Sequence, residues 1–301
     1  MKPVLHLLSG CTAVGKTEWA LRWAEANRAE IVSCDSLLFY RGMDIGTAKP
    51  TPAERARVPH HLIDICPLAE RMDVASYVIH ARRALAEISG RSHAILVVGG
   101  SGFYLKAFFT AVTDEVEVSV ALRDEVAQLS AEERLERLLA LNAGSVGALD
   151  VANPRRVTRA LERCLASGKT LADLAADFAR QPAPFSEWET KLTELTRVPV
   201  GLIERIASRV RAMLEAGLVD EVRRLRGEGL EANPSAARAI GYREVIAMLD
   251  GKLPSAQLAE TIERNTRGLV KKQRTWFRTQ LPPHRRVAAE ELQTPADLFL
   301  S

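Results

Sequence analysis

The chain has no apolar stretch approaching the ~20 residues that a membrane-spanning helix needs. Its N-terminus runs directly into a strand pattern, without the basic and apolar regions of a signal peptide. A cytoplasmic protein with no membrane partner is expected. Cysteine is scarce: Cys11, Cys34, Cys66 and Cys164 are widely scattered and form no C-x-x-C pair, which argues against a disulfide framework or a cysteine-based zinc site. Internal repeats and low-complexity tracts are missing. A large net charge is missing too, since +3 over 301 residues is too little to argue for nucleic-acid binding by itself. The charge is uneven, however: from Arg264 to Arg286 there are eight Lys or Arg and no Asp or Glu.

Against these absences stands one complete motif. Residues 10 to 17 read Gly10-Cys11-Thr12-Ala13-Val14-Gly15-Lys16-Thr17, a G-x-x-x-x-G-K-[ST] loop, after the apolar run Val4-Leu5-His6-Leu7-Leu8 and before an amphipathic stretch carrying Trp19, Ala20, Trp23 and Ala24. Strand, loop and helix occur in the order the motif requires. The glycines let backbone N–H groups turn onto phosphate oxygens, and the helix points its positive end at the same anion. Lys16 adds a mobile full charge, and Thr17 offers a hydroxyl to a bridging Mg²⁺.

The first ~110 residues alternate strand and helix signals: strand 3–8, helix 16–27, strand 30–34, a helix near 73–89 and strand 94–98. That rhythm predicts an α/β fold, a P-loop NTPase-like parallel sheet flanked by helices, with ligands at the carboxyl ends of the strands. From about 113 to 190 apolar residues recur at helical spacing, as in Leu135, Leu138 and Leu139, and no strand pattern is convincing. An all-helical insertion domain is expected there. Gln181 to Ser186 reads as a linker, Val198-Pro199-Val200 as a strand returning to the sheet, and helices over 202–216 and 218–228, closed by Gly217 and Gly229, open a helical C-terminal part. The expected units are therefore 1–112, first part of the core; 113–190, the insertion; and 191–301, the second part of the core with basic C-terminal helices.

Several clusters fall where a ligand would sit. Asp35 is the first carboxylate after the second strand, across from Lys16, and can bind Mg²⁺ through water or accept a proton; as an alternative it caps the turn through Ser36. The loop from Tyr40 to Pro50 could close over a ligand or be a solvated turn. His60-His61 point to opposite faces of a strand and have no ligand partners at metal spacing, which favours structural or substrate contacts. Gly99-Gly100-Ser101-Gly102 ends a strand and opens a helix. Arg155, Arg156, Arg159 and Arg163 line one helix, and Lys271 to Arg278 interleaves bases with Trp276 and Phe277. The last group can neutralise phosphates and stack on bases, or form an amphipathic helix with its aromatics in the core.

Taken in order, these strings resemble the tRNA dimethylallyltransferases. The resemblance rests on Gly10 to Thr17, Asp35-Ser36 and Tyr40 to Pro50, Pro59 to Asp64, Gly99 to Tyr104, Asn153 to Arg156, Ile240 to Glu244 and Lys272 to Arg278, which span nearly the whole chain. It implies transfer of a dimethylallyl group from dimethylallyl diphosphate to N6 of adenosine 37 in tRNA, giving N6-isopentenyladenosine, with Mg²⁺ as cofactor; a monomer is expected, although the sequence itself carries no signal of oligomeric state. By the resemblance Asp35, Ser101 and Lys16 are catalytic, Asp35 as the base for the N6 proton. Gly10, Cys11, Thr12, Ala13, Val14, Gly15, Lys16, Thr17 and Arg209 bind the diphosphate, and Thr17 holds the metal. The anticodon stem-loop is contacted by Asp35, Ser36, Leu37, Leu38, Ser101, Arg123, Arg155, Arg156, Val157, Thr158, Arg159, Tyr242, Arg243, Lys272, Gln273, Arg274 and Trp276.

The chain departs from the family pattern at five positions, and its segment 111–120, which sets the insertion boundary and the place of Arg123, lacks the family's proline-rich stretch. The family usually has Pro and Ser at Cys11 and Val14, Gln at Leu38, Thr at Ser101 and Gln at Arg155. Ser101 keeps the hydroxyl, whereas Leu38 cannot hydrogen-bond at all. Two other enzyme readings share the loop: a P-loop kinase of a small metabolite, with Asp35 as base on a hydroxyl, and prenyl transfer to a free adenine nucleotide. The basic stretch near the C-terminus and the helical insertion favour a macromolecular acceptor over both. A non-catalytic RNA-binding protein is the third alternative, against which stand Lys16, Thr17, Asp35 and Ser101 together.

Overall fold

Leu5, Leu7 and Leu8 are wholly buried, so the first strand is covered on both faces, as a central parallel strand must be. The computed structural model describes residues 2–114 and 116–300. In chain order the sheet unit begins with β1 (Val4–Gly10), α1 (Lys16–Asn27), β2 (Ala29–Ser33), α2 (Pro52–Arg57), β3 (His60–His61), α3 (Val74–Gly90), β4 (Ala94–Val98) and α4 (Gly102–Lys106). The helices α5 (Val120–Gln128), α6 (Ala131–Leu141), α7 (Pro154–Ser167) and α8 (Leu171–Arg180) follow. The chain then returns through β5 (Glu189–Thr196), α9 (Pro199–Glu215), α10 (Leu218–Gly227), α11 (Pro234–Ala237), α12 (Tyr242–Leu249), α13 (Leu258–Gln280) and β6 (Arg285–Ala288).

The six strands form one sheet in the order β3-β2-β4-β1-β5-β6, and every pairing is parallel. Because neighbouring parallel strands end at the same edge, the loops after β2, β4 and β1 lie side by side. These loops begin with Cys34-Asp35, Gly99 and Cys11. The strand order thus brings the three clusters together before any side chain is considered.

Two expectations are corrected here. The returning strand is not Val198–Val200 but β5, which begins nine residues earlier and pairs with β1 from Val4↔Glu189 to Gly10↔Leu195. Pro199 has no N–H for a ladder and instead opens α9 at its first turn. No strand was expected after position 200, yet β6 closes the sheet at the far edge.

Residues Thr110–Ala183 pack as a compact unit of their own, where 113–190 was expected from the sequence; the rest of the chain forms the other. Within the helical unit Val126, Leu138, Val157, Leu161 and Leu174 share a core. Its helices start at side-chain caps: Ser119, Ser130, Asn153 and Thr170 each accept a backbone N–H from the first turn, and Pro154 follows Asn153 at the first helical position.

Candidate active site

Gly10 adopts φ 146° as β1 ends, and a Cβ there would lie 2.4 Å from the carbonyl oxygen of Leu195, so only glycine allows β5 to approach the loop. Gly15, with φ 101°, caps α1 in the left-handed region. The intervening turn puts Ala13 at φ 65° as well. Lys16 Nζ donates to the carbonyls of Gly10 and Cys11 at 2.8 and 2.7 Å, curling over its own loop. Loss of hydration in the cleft pushes the Lys16 ammonium down to about 8, an effect that the nearby Asp35 carboxylate opposes. Cys11 and Val14 are buried, so these two family departures point their side chains away from any ligand and leave their backbone to the loop.

Two arginines from the segment after β5 reach the loop, and a third crosses to the Tyr40–Pro50 segment. Arg197 Nε donates to the Val14 carbonyl at 3.2 Å, Arg205 Nε to Ala13 at 3.0 Å, and Arg209 reaches across to the Thr47 carbonyl at 3.2 Å. Only Arg209 was singled out from the sequence. The signal for Arg205 was its i, i+4 spacing from Arg209 on a helix, which puts both on one face; Arg197 carries no comparable local mark.

Asp35 sits beyond the end of β2 with Oδ1 accepting from the Leu37 N–H at 3.1 Å, so it makes the turn foreseen as an alternative while still facing the cleft. Ser101 Oγ accepts the Ser36 N–H at 2.9 Å and donates to Ser36 Oγ at 3.2 Å, joining the loops after β2 and β4. Gln273 on α13 performs the same office on the other side: its carbonyl oxygen accepts the Thr12 N–H at 3.1 Å and its amide donates to Gly100 at 3.0 Å. The two partners fix which way the amide points.

The space enclosed has two lobes. A phosphate lobe of ≈ 480 Å³ is lined by Gly15, Lys16, Thr17, Arg205, Arg209 and, on the far wall, Leu38, His60 and Ile63. An apolar lobe of ≈ 500 Å³ is lined by Ser101, Phe103, Ile206, Val210, Met213, Leu269, Lys272 and Trp276. Thr12, Asp35, Thr47, Gly100, Arg209 and Gln273 border both. Asp35 therefore stands where the lobes meet. Trp276 is packed so tightly on Gly102 that a Cβ there would lie 2.2 Å from Cε3 of the indole, while Phe277 turns into the core. Of the two aromatics only Phe277 takes the core position, while Trp276 lines the cleft.

The residues expected to meet RNA divide sharply. Ser36 and Leu37 line the apolar lobe, but Leu38 lines the phosphate lobe. Lys272, Arg274 and Arg243 are exposed, Arg243 in an ion pair with Glu244. On the helical unit Arg123, Arg155, Arg156 and Arg159 are exposed. Two expectations, Tyr242 and Val157, are corrected. Tyr242 is fully buried with its hydroxyl donated to Glu221 at 2.6 Å, Val157 lies in the core of the helical unit, and the Thr158 hydroxyl is engaged by the Pro154 carbonyl and Arg134. Burial leaves Tyr242 and Val157 no face for a ligand, whereas Thr158 is part-exposed with its hydroxyl proton already engaged. The Tyr40–Pro50 loop is neither a closing lid nor a solvated turn: the Glu221 carboxylate accepts the N–H groups of Asp44, Ile45 and Gly46, and buried Lys49 bridges Asp44, Asp64 and the Tyr40 carbonyl. His61 serves structure, bonding Glu30 at 2.6 Å, while His60, bonded to the Val58 carbonyl at 2.7 Å, stays in the wall of the phosphate lobe.

A parallel sheet, a phosphate-loop motif at the end of β1, a carboxylate just after β2 and a divided cleft define a P-loop α/β protein. A family model described as IPP transferase matches residues 38–280, and the chain belongs to that family of prenyltransferases. It is 69% identical over 298 residues to the tRNA dimethylallyltransferase of Opitutus terrae, covering 99% of this chain and 97% of that protein. Its identity to the tRNA dimethylallyltransferase of Methylibium petroleiphilum is 43%, over 94% of this chain and 88% of the other. Among solved structures, the full-length tRNA isopentenylpyrophosphate transferase of Bacillus halodurans aligns with a TM-score of 0.70 at 31% identity, covering 96% and 90% of the two chains. A eukaryotic dimethylallyltransferase described as acting on tRNA shares the fold, with a TM-score of 0.85 at 23% identity over 98% of this chain and 77% of its own.

Proposed function

We propose that the protein transfers a dimethylallyl group from dimethylallyl diphosphate to the exocyclic N6 of adenosine 37 in tRNA, giving N6-isopentenyladenosine. The observation that carries this reading is the divided cleft, with cations and loop amides in one lobe, apolar walls and an indole in the other, and Asp35 at the junction. The N6 lone pair attacks C1 of the allylic group, the C1–O bond breaks, and the diphosphate leaves with the bonding electrons. Lys16, Arg209 and the loop N–H groups lie where that negative charge develops. Asp35 takes the N6 proton. Ser101 and Ser36 hold the loop beside it, and Trp276 offers a stacking face to an adenine drawn out of the anticodon loop.

No cluster of His, Cys, Asp and Glu among the described residues makes a metal cage. That fits Mg²⁺, which keeps few protein ligands and is bound chiefly by substrate phosphates. Thr17, exposed in the phosphate lobe, and Asp35 supply the hard oxygens it takes, and the ion would neutralise the departing diphosphate. Arg123, Arg155, Arg156 and Arg159 on the helical unit, with Lys272, Arg274 and Arg243, are the phosphate-contacting cations of this reading.

The test is the mass of a tRNA with A36 and A37 in its anticodon loop after incubation with dimethylallyl diphosphate and Mg²⁺. One five-carbon unit gained at A37 by the wild type, and lost with Asp35→Ala, is expected. Consumption of ATP with a small acceptor and no mass gain in tRNA overturns the reading in favour of a kinase. Prenylation of free adenine nucleotide alone overturns the tRNA acceptor.

A further inference from the structure

Glu221 plays no part in the chemistry above, yet it is 6% exposed and surrounded by four donors. Its Oε2 accepts the N–H groups of Asp44 at 3.0 Å and Ile45 at 2.8 Å. Its Oε1 accepts the Gly46 N–H at 3.1 Å and the Tyr242 hydroxyl at 2.6 Å. Three consecutive backbone amides closing on one anion make a nest, here occupied by a side chain of the same chain. The Tyr242 ring forms its floor: a Cβ on Gly46 would lie 2.4 Å from Cε2. Burial together with the neighbouring carboxylate pushes the Tyr242 hydroxyl upward, so it remains a donor.

The residue after the nest is Thr47. Its hydroxyl returns to the Met43 carbonyl at 2.7 Å, and its own carbonyl accepts Arg209 at 3.2 Å. Arg209 borders both lobes and is otherwise shorn of water, which draws its guanidinium below the ordinary arginine range. A chain of contacts therefore runs from a carboxylate on α10, through one rigid turn, to the cation that meets the diphosphate.

We infer that Glu221 is a positioning residue for the diphosphate: it freezes residues 44–47 so that the Thr47 carbonyl orients Arg209. This rests on the reading of the cleft given under Proposed function. The carboxylate is specifically required. In Glu221→Gln the amide oxygen can keep the Asp44 and Ile45 N–H groups and the amide nitrogen can donate to a reoriented Tyr242 hydroxyl, but the Gly46 N–H then faces another donor. That variant keeps the shape and loses one bond, next to Thr47.

The experiment is a double-mutant cycle read as binding of Mg²⁺-pyrophosphate by calorimetry, in the wild type, Glu221→Gln, Arg209→Ala and the double variant. Glu221→Gln is expected to weaken binding roughly 5- to 30-fold in the wild-type background and less than about twofold once Arg209 is gone, since it acts through that residue. In steady-state assays KM for dimethylallyl diphosphate should rise in parallel while KM for tRNA stays put. Tyr242→Phe, which keeps the ring under Gly46, should weaken pyrophosphate binding in the same direction by about two- to fivefold, and gives the answer if Glu221→Gln does not fold. Equal losses in both backgrounds, or no loss in either, overturn the inference while leaving the function intact. A wild type that does not bind pyrophosphate overturns the function and this inference with it.

Discussion

Gly102→Ala puts a single methyl group against the wall of the apolar lobe. Gly102 does not occupy the left-handed region, so alanine brings no backbone strain; the perturbation is steric. The new Cβ would lie 2.2, 2.5 and 2.6 Å from Cε3, Cζ3 and Cδ2 of Trp276, where ordinary contact begins near 3.4 Å, and the indole must retreat by more than an ångström. The helix α13 cannot carry it away, since Gln273 is tied to Thr12 and Gly100, and Phe277 is 1% exposed in the core. The ring therefore swings off the wall on its own torsions. Overpacking costs about 1–3 kcal/mol of stability, and loss of a base-stacking face costs about 1–3 kcal/mol of binding per base. The second figure is roughly a 5- to 150-fold fall in kcat/KM for tRNA. With tRNA varied at saturating dimethylallyl diphosphate, that fall is expected; with the diphosphate varied, KM should stay within about twofold, because the phosphate loop is untouched. Thermal melts complete the test: on a Trp276→Ala background, Gly102→Ala should cost less than about 0.5 kcal/mol, there being no ring to displace. Wild-type kinetics for Gly102→Ala, or an equal stability loss in both backgrounds, refutes the reasoning.

The depressed Lys16 should set an alkaline limb. The free enzyme loses the ammonium as pH rises through about 8, so dimethylallyl diphosphate affinity, flat below pH 7, should weaken by up to about tenfold per unit above it, while Lys16→Arg, charged throughout, should give a flat profile at reduced kcat. Titration of KM against pH checks this, and a limb unchanged in Lys16→Arg excludes Lys16 as its source. At the opposite end of the sheet the Arg91 guanidinium, with His61 and His93 bonding the same carboxylate, holds buried Glu30 down to about 2. A depressed acid stabilises above its unfolded pKa near 4.5 and loses that contribution as pH falls toward 2. Glu30→Gln should therefore be less stable than wild type at pH 6, on the order of 1–3 kcal/mol, with the gap in urea unfolding free energy shrinking by pH 3; a constant gap refutes the assignment.

What could be read ahead of the structure follows the range of the forces involved. The phosphate loop, α1 and strand Ala94–Val98 were legible because apolar runs and glycine punctuation act over a few residues. β5 was not. Its sequence, Glu-Thr-Lys-Leu-Thr-Glu-Leu-Thr, reads as surface, yet it lies between β1 and β6. Its buried polar groups are satisfied from far along the chain: Glu194 by His284 and Arg286, and the Thr193 hydroxyl by the Leu298 carbonyl. No local window contains those partners. Tyr242 failed for the same reason, since its place in a motif string marked it as important but only the carboxylate of Glu221 discloses that it works from inside. Asp35, by contrast, was placed correctly at the sheet edge because a residue just after a parallel strand has nowhere else to go.

The position of the helical unit has a consequence for synthesis. β1 pairs with β4 on one side and with β5 on the other, but β5 lies some 90 residues after β4. At ~5–20 residues per second, the nascent chain can build the half-sheet β3-β2-β4-β1 and then wait roughly 5–20 seconds for the strand that covers the open side of β1. During that interval Val4–Gly10, apolar and with unpaired backbone groups, is a bare edge of the kind that recruits other chains. The residues made in the meantime are those of Thr110–Ala183, whose core is its own. The insertion that separates the two halves of the sheet is thus also a clock, and its length sets how long the ribosome-bound half-sheet must stay unpaired.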